Sequence, residues 1–191
     1  STLTDLSTRG TSVSFTGTVT EQTSSTGSKY LTGGTSSRIN IPLNVSSVTS
    51  NNYTVMTTAG YNGGTRNRIT STNSNNWLLG HWSGGDVRYY AEGWVSNNSS
   101  SGGGAANNQW ATHTGTGETQ GLVNIDDWQY WKNGGLFTRN TSGSQGPTNL
   151  SINRWSGGSE VSDWKWQFLA VWNRVLSEDE IRDLAGAISN R

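Results

Sequence analysis

Apolar and polar residues alternate in short runs along most of this chain. Val13-Ser14-Phe15-Thr16-Gly17-Thr18-Val19 shows the pattern, and so does Arg38-Ile39-Asn40-Ile41-Pro42-Leu43. A period of two places successive side chains on opposite faces of a pleated ribbon, so each run predicts a half-buried β-strand. Pro42 cannot donate to a ladder and marks a strand end or a sheet edge. Tyr53-Thr54-Val55-Met56 predicts the next strand, and Asn62-Gly63-Gly64 a turn, because Asn and Gly tolerate positive φ. Two later segments look alike. Asn76-Trp77-Leu78-Leu79-Gly80-His81-Trp82 runs through Ser83-Gly84-Gly85-Asp86 into Val87 to Val95, and Leu150 to Trp155 runs through Ser156-Gly157-Gly158 into a strand near Ser162. Both predict hairpins. Asn97 to Asn108 is almost free of apolar residues and predicts a long surface loop.

In Trp164-Lys165-Trp166-Gln167-Phe168-Leu169-Ala170-Val171-Trp172 the same period places Trp164, Trp166, Phe168, Ala170 and Trp172 on one core-facing side, with Lys165 and Gln167 opposite. Helical spacing occurs at the C-terminus, where Ile181, Leu184, Ala185 and Ile188 share one stripe. Ser177 and Glu180 have capping-box spacing, Leu176 and Ile181 are placed as a hydrophobic staple, and Glu178-Asp179-Glu180 lie at the positive end of the helix dipole. These elements predict an all-β fold, a two-sheet antiparallel β-sandwich with a short helix near 178–188. Residues 1–191 read as one domain, with 1–20 as an extended N-terminal arm or edge strand.

Composition changes the picture in one respect. Aliphatic residues are few, and ten Trp with six Tyr supply the large apolar groups, so tryptophan must carry much of the core. Thirteen basic residues balance thirteen acidic ones, and the Arg and Lys are scattered singly, which argues against nucleic-acid or anionic-membrane partners. No apolar run reaches the ~20 residues of a spanning helix. Without Cys there are no disulfides and no thiolate metal sites.

Phe168 to Ile181, with its strand, its Trp172-Asn173-Arg174-Val175-Leu176-Ser177 turn and its Glu180-Ile181 helix start, resembles the closing strand and helix of laminin-G-like, concanavalin A-like domains. Tyr53-Thr54-Val55, Trp77 to Trp82, Trp110 to Thr116 and Tyr130-Trp131-Lys132-Asn133-Gly134 follow in that family's order. Where the family has Ile-Gly before its last hairpin, this chain has Ile152-Asn153. The resemblance implies a jelly-roll sandwich; it says little of function, because the fold hosts lectins, adhesion modules, virion proteins and hydrolases.

Candidate chemistry is sparse. Glycosidases need two carboxylates placed together across a bond, but the dense acidic group here is explained by the helix cap, and Asp126-Asp127, being adjacent, point to opposite faces of a strand. No catalytic residue is assigned. Calcium takes six to eight oxygens, of which Asn124, Asp126 and Asp127 could supply a few; otherwise no cofactor is implied. Exposed aromatics beside Asn and Asp suit sugar binding, where a ring stacks and the polar groups bond hydroxyls, and equally suit protein contacts. Ligand-binding candidates of this kind are Trp82, Asp86, Tyr90, Trp94, Trp128, Trp131, Asn133 and Trp155. The leading expectation is a non-catalytic binding or structural module on a virion surface or in the extracellular space, such as a bacteriophage capsid decoration or fibre-associated protein. Its partners would be other proteins of an assembly, surface glycans or further copies in a symmetric oligomer. A carbohydrate-binding lectin-type module is the alternative, and a glycan-degrading enzyme a third reading.

Overall fold

The computed structural model describes residues 12–43, 52–98, 109–118, 127–155 and 157–189. Numbered in chain order, its strands make two antiparallel seven-stranded sheets. Sheet A runs in space as β1 (Ser14–Thr16), β4 (Arg38–Ile41), β13 (Leu150–Ile152), β6 (Thr70–Thr72), β7 (Trp77–Trp82), β8 (Gly85–Ala91) and β9 (Trp94–Asn97). Sheet B runs as β12 (Gly135–Asn140), β11 (Asp127–Lys132), β10 (Ala111–Glu118), β5 (Asn52–Tyr61), β14 (Trp164–Trp172), β3 (Lys29–Gly33) and β2 (Val19–Thr23). One helix among the described residues, α1 (Glu178–Ser189), follows β14. The expected two-sheet sandwich with a short C-terminal helix is what forms. The N-terminal segment contributes the edge strand β1, paired with β4, while residues 1–11 lie outside the described part.

The central strand β5 shows how the layers are built. Tyr53, Val55, Ala59 and Tyr61 belong to the core between the sheets, and the alternate residue Met56 belongs to a second cluster with Trp131, Leu176 and Ile181. The strand is therefore buried on both sides, which is why it reads as a long run of buried positions from Tyr53 to Tyr61. Trp77, Trp128 and Trp164 are fully buried in the main core, as the shortage of aliphatic residues requires. Two of these indoles have partnered polar tips: Trp77 Nε1 donates to Tyr53 Oη at 3.1 Å and Trp164 Nε1 to the Ser37 carbonyl at 3.1 Å, while the Tyr53 and Tyr89 hydroxyls meet at 2.6 Å and Tyr89 Oη donates to the Thr116 carbonyl at 3.0 Å. Such rings need room opposite them. Gly117 supplies it, since a Cβ there would lie 2.5 Å from the Trp128 ring.

Three expectations are corrected. The period of two does not persist through β14: the ladder to β5 shifts register between Trp166 and Phe168. One extra residue in a bulge reverses the facing of everything after it. Trp164 and Trp166 enter the main core, joined beyond the bulge by Leu169 and Val171, whereas Phe168 and Trp172 pack with the helix cluster. The second Trp-Ser-Gly-Gly segment is not a hairpin. β13 lies in sheet A and β14 in sheet B, so the chain crosses between sheets after Ile152. Asn153 starts that crossover at φ 61°, in the left-handed region that non-Gly residues seldom enter. Its buried amide donates to the carbonyls of Gly34 at 3.0 Å and Ser37 at 2.7 Å, and its Oδ1 accepts from Ser162 N at 2.5 Å. Finally, Val87 to Val95 is not one strand. Glu92 at φ 53° and Gly93 turn the chain between β8 and β9, and a Cβ on Gly93 would fall 1.8 Å from the Ser142 carbonyl. The loop expected over 97–108 lies outside the described residues from 99 onward.

The helix is capped as its spacing predicts. Ser177 N donates to Glu180 Oε2 at 2.8 Å and Glu180 N to Ser177 Oγ at 3.3 Å. Leu176 and Ile181 pack together in the helix-side cluster.

Candidate functional site

A groove of about 490 Å³ opens on the outer side of sheet B, at the C-terminal end of α1. Its lining includes Thr58 of β5, Thr112 of β10 and Gln167, with Tyr30 and Trp110 on one side, Asn133 of the β11–β12 turn, and Ile188 and Ser189 of the helix. Each position has a local cause. Gln167 is the residue of β14 left without a partner in the ladder to β5, and bulges of this kind re-aim side chains. Asn133 and Gly134, at φ 50° and 79°, form the two-residue turn that Asn-Gly favours. The backbone N–H of Asn133 donates to the Thr112 carbonyl at 2.8 Å, and its Oδ1 accepts from Thr112 N at 2.9 Å, which pins the turn against β10.

Tyr30 and Trp110 meet edge to face, with centroids 5.3 Å apart. Lys165 Nζ lies 4.4 Å from the centre of the Trp110 ring. Only 4% of Lys165 is exposed, and burial pushes its ammonium down to about 8, so it stays largely charged at neutral pH and loses its proton just above it. The groove lining carries no Asp, Glu, Lys or Arg. Among the described residues Tyr30 Oη, Trp110 Nε1, the Gln167 amide and the Asn133 Nδ2 make no hydrogen bond to other protein groups. The result is a neutral concavity with two half-buried rings, two amides and several hydroxyls.

The sequence candidates divide among four places. Trp82, Tyr90 and Trp94 gather on the outer side of sheet A, Trp82 and Trp94 at 5.4 Å and Tyr90 and Trp94 at 5.0 Å. Trp155 joins them through charge: Arg68 lies 4.5 Å above its ring and pairs with Glu160, and Glu160 Oε1 accepts from Trp82 Nε1 at 2.9 Å. Asn133 stands alone of the set in the groove. Asp86 is buried and holds Lys132 Nζ at 2.9 Å, linking the two sheets. Trp128 and Trp131 have no exposed face; the first packs in the main core and the second under α1, so neither offers a ring to a ligand.

Of the calcium candidates, Asn124 and Asp126 lie outside the described residues. Asp127 accepts from Arg139 Nε at 2.8 Å and Nη2 at 2.7 Å and from Gln129 Nε2 at 2.9 Å; these hydrogen bonds hold its carboxyl below the usual range against the opposing effect of burial. Among the described residues no group of three or more His, Asp or Glu is placed to hold a metal ion. Alternation alone does not single out Tyr30, Trp110 or Gln167. The available signal is in Phe168 to Trp172, which is apolar at every position and so belongs to a strand covered on both faces.

No protein-family profile matches the chain, and no curated protein matches it in sequence. Solved structures do match, at the level of fold. Domain 4 of AbnA, an extracellular GH43 arabinanase from Geobacillus stearothermophilus solved in complex with arabinotriose, superposes with a TM-score of 0.63 at 15% identity, over 91% of this chain and 87% of that one. The binding domain of Paraclostridial Mosquitocidal Protein 1 gives 0.68 at 16% identity, over 97% of this chain and 49% of that one. The binding domain of botulinum neurotoxin DC, in complex with SialylT, gives 0.65 at 15%, over 98% and 49%. This chain spans about half the length of the two toxin domains and most of the arabinanase domain. The shared feature is the two-sheet β-sandwich.

Proposed function

We propose that this chain is a non-catalytic carbohydrate-binding module of lectin type, and that the groove on sheet B takes neutral saccharide units. One observation carries this: Tyr30 and Trp110 stand beside the Gln167 amide and the Asn133 Nδ2, neither committed to another protein group, in a concavity lined by no charged residue. A sugar has apolar C–H faces that suit an aromatic ring and hydroxyls that pair with amide donors and acceptors; a charged lining would instead select for ions. The arabinotriose and SialylT complexes of the neighbouring folds favour this lectin-type alternative over the virion-surface role.

The test is a titration of the protein with arabinotriose and a panel of neutral oligosaccharides, followed by tryptophan fluorescence and calorimetry. Trp110→Ala should weaken binding about tenfold or more, a loss of roughly 1.4 kcal/mol, and the saccharides should be recovered uncleaved. Repeating the titration with a chelator tells whether calcium takes part. Binding that survives Trp110→Ala and Gln167→Ala unchanged, or its absence across the panel at millimolar concentration, would overturn the proposal.

A further inference from the structure

We propose a second saccharide site, where the β3–β4 connection meets the β13–β14 crossover, that takes a carboxylate-bearing sugar unit. It is independent of the groove on sheet B. A cleft of about 220 Å³ is lined by Arg38, Asn153, Arg154 and Trp155, together with Ser36 and Gly158. That is below the roughly 300–1,000 Å³ of drug-sized pockets, and it suits one small ligand unit.

Charge is what sets the cleft apart. Arg68, Arg139, Arg174 and Arg182 each hold a carboxylate. Arg38 and Arg154 hold none among the described residues, and no Asp or Glu lines the cleft. Both arginines line the same cleft without a carboxylate partner among the described residues, so a bound anion would supply the counter-charge they lack. The planar guanidinium fork matches a carboxylate with two parallel hydrogen bonds. The floor is rigid, because the Asn153 amide is tied to the Gly34 and Ser37 carbonyls and to Ser162 N.

The surroundings favour a sugar over a bare anion. The half-buried Trp155 indole forms one wall, and the linkage through Arg68 and Glu160 leads to Trp82 and on to the Trp94 and Tyr90 rings. An acidic oligosaccharide seated by its carboxylate between Arg38 and Arg154 can extend over these half-buried rings. Glu160 does not compete for the arginines of the cleft, since its two oxygens are engaged by Arg68 and Trp82.

Chemical-shift titration of the whole chain with trigalacturonate and sialyllactose, two sources of the same carboxylate, tests this against uncharged lactose and arabinotriose. Both acidic ligands should bind and move the signals of Trp155 and Arg154, with affinity falling as salt rises. Arg38→Gln and Arg154→Gln should each weaken binding at least tenfold, Arg154→Lys less than Arg154→Gln, and Trp110→Ala not at all. Unchanged far-UV and near-UV dichroism in these half-exposed variants separates lost binding from lost fold. Equal binding of neutral and acidic saccharides at the cleft, full retention in both Gln variants, or acetate and sulfate binding as tightly as the saccharides would each overturn the proposal. A groove that fails its own test leaves this result unaffected.

Discussion

On sheet B the outward residues Met56, Trp131, Phe168 and Trp172 lie beneath α1, packed with Leu176, Ile181, Leu184 and Ile188. On sheet A the described residues provide no helix, and Trp82, Tyr90 and Trp94 shelter one another and their buried strand neighbour Leu78. The two solutions leave different surfaces. A helix that ends part-way along a sheet leaves a neutral groove beyond its last turn, where Tyr30 and Trp110 stand. Rings that cover one another leave their own edges half-exposed, and arginines settle against them, Arg88 at 5.9 Å from Trp82 and Arg68 at 4.5 Å from Trp155. One fold thus offers a hydroxyl-and-amide surface on one side and an aromatic, cationic one on the other.

If a helix roof and a ring cluster differ in this way, truncating a ring beneath each should cost very different amounts. Trp131→Ala empties a site with no exposure beneath α1 and should destabilise by about 3–5 kcal/mol. Trp94→Leu, at a half-exposed position that keeps an apolar side chain, should cost under about 1 kcal/mol. Urea unfolding of the two variants checks this, and similar losses would show that the sheet A cluster is a core in its own right.

The interior shared by both sheets gives a second measure. His81 of β7 and His113 of β10 meet across it, with ring centroids 4.7 Å apart. Burial pushes His81 down to about 4, opposed by the Asp86 charge, and burial with the neighbouring His81 holds His113 well below its ordinary value; Lys132 lowers both. In the unfolded chain each titrates near ~6.5. The folded-state values are depressed, so the unfolded chain binds more protons below pH 6.5. Stability is complete above that pH and falls as the medium is acidified toward the folded value. From His81 alone, roughly 2 kcal/mol should vanish between pH 7 and pH 5. Urea midpoints at the two pH values measure it, and His81→Gln should flatten the dependence. An unchanged slope in that variant would place the loss elsewhere.

The sandwich, the tryptophan core and the capped helix were legible in the sequence because each rests on local spacing: period two, ring count, and Ser177 three residues before Glu180. The groove was not. It depends on the bulge at Gln167, which reverses facing without changing residue type, and on Trp110 lying beside Tyr30 and Lys165, residues far away in sequence. The two Trp-Ser-Gly-Gly segments show the same limit. Ser83 and Gly84, both at positive φ, close a tight hairpin. The second segment leaves its sheet at Asn153, whose amide is held by carbonyls more than a hundred residues earlier. Turn residues set a local bend, while long-range hydrogen bonds choose the sheet that follows.

A smaller effect than the loss at either the Trp131 site or the buried histidines concerns the helix roof itself. Ser177→Ala removes the hydroxyl that accepts from Glu180 N, but leaves Ser177 N bonded to Glu180 Oε2 and Arg174 bonded to the same carboxylate. Half of the capping box survives, so the loss should be about 1 kcal/mol, as for other N-cap substitutions. Because α1 ends at the groove through Ile188 and Ser189, fraying that starts at its N-terminus tests whether the helix moves as a unit. Amide exchange in Ser177→Ala should quicken in the first turn and remain slow where Ile181 and Ala185 are buried. Faster exchange along the whole helix, with weaker saccharide binding in the groove, would mean that the roof on sheet B is held chiefly by its cap rather than by its packing on Trp131.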